Sequence, residues 1–238
     1  MKQPRTGSES RGTSTVEVLV CLLLMALLVQ LSWSLLAAAR RTAQRLTQRS
    51  EALDAERLAW HVLAREVNAG LPSRDWRVET SRVLQLRAFR GVGETCPGSA
   101  SGDGALVTYT GIRLPEPAKD SLLALTETGL WMVLRITARS PAPSGCPAWP
   151  GTPVERWSWE PPAPGVVLAR VFERGSYHLE DKAIRYRAGD GGRQPLSEER
   201  LESGTFLATT SGLELYLGLR VDERTRWDTR RRLTGGAP

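Results

Sequence analysis

Lysine and histidine are scarce in this chain of 238 residues. Only Lys2, Lys119 and Lys182 carry an ammonium, and only His61 and His178 an imidazole. Three cysteines, Cys21, Cys96 and Cys146, occur without any Cys-x-x-Cys pair. That spacing, with the two histidines in unrelated segments, argues against a structural zinc site. No Gly-x-Ser-x-Gly, His-Glu-x-x-His or Walker A pattern occurs, and neither Cys96 nor Cys146 has a histidine in its sequence neighbourhood. Gly189-Asp190-Gly191-Gly192 follows a short predicted strand with no helix behind it, so it reads as a turn and not a phosphate cradle. The chain is expected to be no enzyme and to need no metal or cofactor.

What is present is arginine, proline and one long apolar run. Charged residues make up 24% and hydrophobic residues 41%, the balance of a folded domain and not of a disordered one. The net charge of +6 is mild. It fits a solvated arginine-rich surface better than a nucleic-acid or anionic-lipid partner. From Val18 to Ala39 there are 22 residues without a charge. As a helix they span roughly 30 Å, the thickness of a bilayer core.

Ahead of this run lies a polar segment, residues 1–12, with Lys2, Arg5 and Arg11 against Glu9. Gly12 closes it, and Glu17 is the fifth residue beyond. A carboxylate at the edge of a bilayer-spanning helix is costly and calls for a partner. Gly12, Ser14, Val16 and Glu17 together resemble the cleavage signal of type IV prepilins and type II secretion pseudopilins. Thr13 stands where that family usually has Phe, and Thr15 where it has Leu.

The resemblance implies a prepilin peptidase that cuts between Gly12 and Thr13 and methylates the new N-terminus at Thr13. It implies that Glu17 then pairs with the freed amine of a neighbouring subunit. The implied chain is a minor pseudopilin or minor pilin, single-pass in a bacterial inner membrane, with its C-terminal domain extracytoplasmic. Its partners are the peptidase, the other subunits and the membrane. The implied fold is α+β and pilin-like: a long helix, membrane-spanning over about 17–39, packed on an antiparallel β-sheet domain.

Two rivals stand beside it. Ala37-Ala38-Ala39 matches the small-residue site of an ordinary secretory signal, which would release a secreted binding protein. The other rival is a plain single-pass anchor for an extracytoplasmic β-domain that binds a ligand. Arg40, Arg41, Arg45 and Arg49 outnumber the leader's cations, so charge alone would put the C-terminal side in the cytoplasm. The prepilin-like signal implies the opposite orientation.

Beyond the run, residues 40–69 hold no Pro or Gly, and Gly70 with Pro72 stops the helix, so it is predicted over 13–70. Leu46, Leu53, Trp60 and Val67 recur every seven residues with Leu63 beside them, while Glu56 and Glu66 are assigned to the outer faces. In residues 71–238 strands are expected at 83–90, 105–110, 121–127, 130–137, 166–173, 177–179, 183–187 and 213–221, with a hairpin turn at Thr126–Gly129. The order of Ser176–Asp181, Ile184–Arg187 and Gly192–Leu196 resembles the J-type minor pseudopilins.

Residues 139–165 contain eight prolines with Trp149, Trp157 and Trp159, and are read as a loop that can be neither a central strand nor a helix. The arginine-rich tail, 223–238, is read as a solvated terminus, with nucleic-acid binding disfavoured. Cys96 and Cys146, each in a polar loop and followed by Pro, are expected to form a disulfide, with two independent thiols as the alternative.

Overall fold

The computed structural model describes residues 14–117, 119–142, 145–210, 212–220 and 226–234. The elements are α1 (Thr15–Asn68), β1 (Trp76–Thr80), β2 (Val83–Thr95), β3 (Gly104–Gly111), β4 (Asp120–Thr126), β5 (Trp131–Pro141), β6 (Glu155–Glu160), β7 (Val166–Glu180), β8 (Ala183–Ala188), β9 (Arg193–Pro195), β10 (Leu201–Thr209), β11 (Gly212–Arg220) and β12 (Arg226–Thr234). The chain divides into two units, Met1–Ser50 and Glu51–Pro238, so the boundary falls within α1 and not at its end.

In the first unit, Ser14 caps the helix. Its carbonyl accepts from the amides of Glu17 (2.9 Å) and Val18 (3.2 Å), and Val16 N–H donates to its Oγ at 3.4 Å. Large apolar side chains from Val16 to Leu36 are exposed. The helix is long and apolar enough to cross a membrane.

In the second unit the helix shows a different face. Glu56, Ala59, Leu63, Glu66 and Val67 are buried, the i, i+3, i+4 spacing of one side. Of the heptad stripe expected from sequence, Leu63 and Val67 are buried and Trp60 packs against the same core, while Leu53 is half-buried. Leu46, in the first unit, is 63% exposed, and the two glutamates assigned to outer faces are among the buried residues. Burying Leu63 and Val67 stabilises the packing by about 1.5–3 kcal/mol each. At the helix end Arg170 donates to the Ala69 carbonyl at 2.6 Å, a cation where the helix dipole is negative. Its guanidinium also lies 3.5 Å from the centre of the Phe89 ring.

The strands are α+β in class, as expected, but the large sheet does not stay open. Its order is β1-β2-β3-β6-β5-β4-β7-β8-β9, and β2 also pairs with β7. The strands β2, β3, β6, β5, β4 and β7 thereby close into a six-stranded antiparallel barrel. Ala105, Val107, Leu122, Leu134, Ile136, Trp157, Trp159 and Val171 fill its core. The second core lies where α1 meets the outer halves of β2 and β7, with β1, β8 and the separate sheet β10-β11-β12. β7, 15 residues long, supplies side chains to both cores, and β2, 13 residues long, gives Leu84, Leu86 and Ala88 to the second while pairing with β3 and β7 in the barrel wall.

Two sequence expectations are corrected here. The segment 139–165 is not a loop throughout: β6 lies inside it and pairs with both β3 and β5. Its prolines flank the strand and none interrupts it, while Trp157 and Trp159 point into the barrel, 0% and 2% exposed. The tail is likewise no frayed terminus over 226–234, because β12 pairs along β11 from Arg226↔Arg220 to Thr234↔Gly212.

Candidate functional site

Gly12 and Thr13 lie outside the described residues. Glu17 sits in the first turn of α1, where an acid is favoured by the helix dipole. With Ser14 at the cap it completes the Ser-x-x-Glu pattern of a capping box. Its exposed carboxylate accepts no hydrogen bond and joins no ion pair among the described residues. Cys21, in the same apolar stretch, is a free thiol and is exposed.

Cys96 and Cys146 form a disulfide, with Cα atoms 5.8 Å apart. The bridge ties the end of β2 to the β5–β6 connection. It lies in a small core with Leu106 and Val154, against which Trp149 packs.

Sequence reading missed a buried polar cluster that joins α1, β4 and β7. Glu66, on α1, receives Arg90 Nη1 on Oε1 at 2.6 Å and the Tyr177 hydroxyl on Oε2 at 2.7 Å. Arg90 Nη2 reaches Glu173 Oε1 at 2.8 Å, and the Tyr186 hydroxyl donates to the same oxygen at 2.6 Å. Arg113 grips Glu173 Oε2 with Nη2 at 2.6 Å and takes both oxygens of Asp120 at 2.6 and 2.7 Å. Two guanidinium groups are thus shared among three carboxylates drawn from α1, β4 and β7.

The electrostatics follow from this pairing. Burial pushes the Glu173 carboxyl up, but hydrogen bonds from Arg90, Tyr186 and Arg113 outweigh it and hold the group down at about 2. For Arg90, burial opposes the charge, and the bonded Glu173 and Glu66 still push its pKa up. Arg113 is raised by its hydrogen bonds to Asp120 despite partial burial. Tyr177 and Tyr186 are pushed up chiefly by burial, so both remain protonated donors. With its acids and bases locked in mutual pairs, the cluster is an ionic clamp holding α1 to the barrel strands.

A second clamp uses the tail. Arg231 Nε meets the buried Glu56 at 3.1 Å. Arg230 and Arg232 both reach Glu214, each at 2.9 Å. Arg230, Arg231 and Arg232, read from sequence as part of a solvated run, are thus paired with carboxylates on β11 and α1, while Arg230 and Arg232 stay more than half exposed.

No protein-family model, curated protein or solved structure matches this chain.

Proposed function

We propose that the chain is a prepilin-like precursor, cut between Gly12 and Thr13 and assembled as a minor subunit of a type II secretion pseudopilus or type IV pilus. One observation carries the reading. Glu17 stands five residues beyond Gly12, at the head of a helix 54 residues long. That helix is apolar and exposed in its first part and packed on a β-domain in its last.

The chemistry is one of neutralisation. A lone carboxylate taken into lipid is costly, and Glu17 has no partner among the described residues of its own chain. Cleavage before Thr13 creates an α-ammonium on each subunit. Placed against Glu17 of a neighbour, it cancels the charge, so processing licenses assembly. The partners are then a prepilin peptidase, the other subunits and the bacterial inner membrane.

Two further features support the reading. The Cys96–Cys146 bridge suits an oxidising compartment, which favours an extracytoplasmic β-domain over the orientation that Arg40, Arg41, Arg45 and Arg49 would suggest. The order of β7, the tight turn at Asp181-Lys182, β8 and β9 is the order that resembles a J-type subunit, which would sit near a filament tip.

A second reading, a single-pass anchor for a ligand-binding β-domain, is favoured by the closed barrel, which is more than a helix packed on an open sheet. Mass spectrometry of the N-terminus, from cells with and without the peptidase, separates the two. The prepilin reading expects Thr13 as first residue only where the peptidase is present. The net charge of +6 then falls by 2 to +4, because the leader holds Lys2, Arg5 and Arg11 against Glu9. An intact Met1, or a start at Arg40, in cells with the peptidase refutes it.

A further inference from the structure

The geometry points to a binding site for a soluble ligand bearing two or more phosphate groups, in the arginine-lined cavity on the outer face of β1, β2, β7 and β8. This inference stands apart from the prepilin reading and concerns the β-domain alone.

The face is built by strand alternation. Leu84, Leu86 and Ala88 turn into the core beneath α1, so Gln85 and Arg87 turn outward. Pairing then lines up one polar row, Arg77↔Gln85↔Ser176↔Arg187, across four strands. Two residues along, Arg87 stands directly opposite Arg174. Like charges in that position destabilise a sheet unless something lies between them.

Over this face opens a cavity of about 590 Å³, lined by Arg74, Arg77, Arg87, Arg174 and Arg187. Asp75 and Asp190 are its acids, so its lining carries five cations against two anions, a net +3. The acids leave most of that charge in place. Arg87 Nη1 meets Asp75 at 3.0 Å, and Arg187 is 3.8 Å from the fully exposed Asp190. Among the described residues, Arg77 bonds only the neutral amide of Gln85, at 2.9 and 3.0 Å. Glu79, which accepts from Gln85 at 2.7 Å, is outside the lining. Arg74 and Arg174 are exposed and make no ion pair among the described residues. The Phe172 ring, 5.3 Å from the Arg87 guanidinium, holds that group in place.

Guanidinium forks match phosphate oxygens in pairs. Five in one concavity exceed what a single phosphate takes, and the concave wall concentrates the field on a compact anion.

The test is calorimetric titration of tripolyphosphate into the full-length protein in neutral detergent, at physiological salt. The expected result is saturable one-to-one binding, tighter than that of citrate by about tenfold or more. Arg174→Gln, at an exposed and unpaired residue, weakens it about tenfold, the loss of one charged hydrogen-bonding group. Arg82→Gln, exposed and outside the lining, changes it less than twofold. Absence of saturable heat overturns the site. So does an unaffected Arg174→Gln, an equal loss in Arg82→Gln, or equal affinity for citrate. Phosphatidic acid vesicles that displace tripolyphosphate overturn the assignment to a soluble ligand.

Discussion

Replacing Glu173 by glutamine removes the one carboxylate that both Arg90 and Arg113 grip. The size of the effect follows from its acidity. An ordinary glutamate titrates at 4.5 and this one at about 2. At about 1.4 kcal/mol per pH unit, the gap is worth about 3 kcal/mol. The Arg113 side chain is 30% exposed, and screening there brings the figure to about 2–3 kcal/mol.

A depressed carboxyl contributes its stability above the unfolded value and loses it as pH falls through the folded one. Wild type and Glu173→Gln should therefore differ by the full amount at pH 7. The gap should close as pH falls from 4.5 towards 2. The assay is denaturant unfolding of the full-length protein in neutral detergent, followed by tryptophan fluorescence, since Trp157 and Trp159 are buried in the barrel. A variant within about 0.5 kcal/mol of wild type at pH 7 would refute the reasoning. A gap unchanged down to pH 3 would refute it equally.

Four further outcomes are expected. Replacing Cys96 and Cys146 together by alanine should cost about 4 kcal/mol, the chain-entropy value for a loop of some 50 residues. Thiol counting on the denatured, non-reduced wild type should find one thiol, Cys21, and a count of three ends that account. Lys182 adopts φ 59° in the β7–β8 turn, so Lys182→Gly should raise stability by about 0.5–1 kcal/mol, and a lower melting temperature would contradict it. Under the prepilin reading, Glu17→Ala should be cut normally but recovered poorly in sheared filaments, with about 3–5 kcal/mol of pairing lost, whereas normal recovery removes the proposed pair.

Sequence reached what is local. Leu213, Leu215, Leu217 and Leu219 alternate with polar neighbours and are buried on one face of β11. The hairpin at Thr126–Gly129 announces itself by a glycine, and Gly129 has φ 79°. Trp157 and Trp159 carried the same two-residue period between Arg156, Ser158 and Glu160, but surrounding prolines masked it. Pairings distant in sequence were out of reach. Closure of the barrel depends on β2 meeting β7, more than 70 residues on. The partners of Glu56 and Glu66 are Arg231 and Arg90, so nothing near either glutamate says that its charge is answered. The arginine row was hidden too, because it exists only once β1, β2, β7 and β8 lie side by side.

The shared strands carry a consequence for how such a chain can change over evolutionary time. Glu94 on β2 faces Leu168 on β7, so the chain leaves the shared pair and returns to it at adjacent rungs. Everything between the two strands, residues 96–165, is an excursion whose two ends are already held together. Such a place tolerates gain, loss or exchange of sequence. The outer halves of β2 and β7 keep their own pairing, and the one tie they need from the excursion is Arg113, held by Asp120, on Glu173. Apart from that Arg113–Asp120 tie, the barrel is the part of this fold most free to diverge.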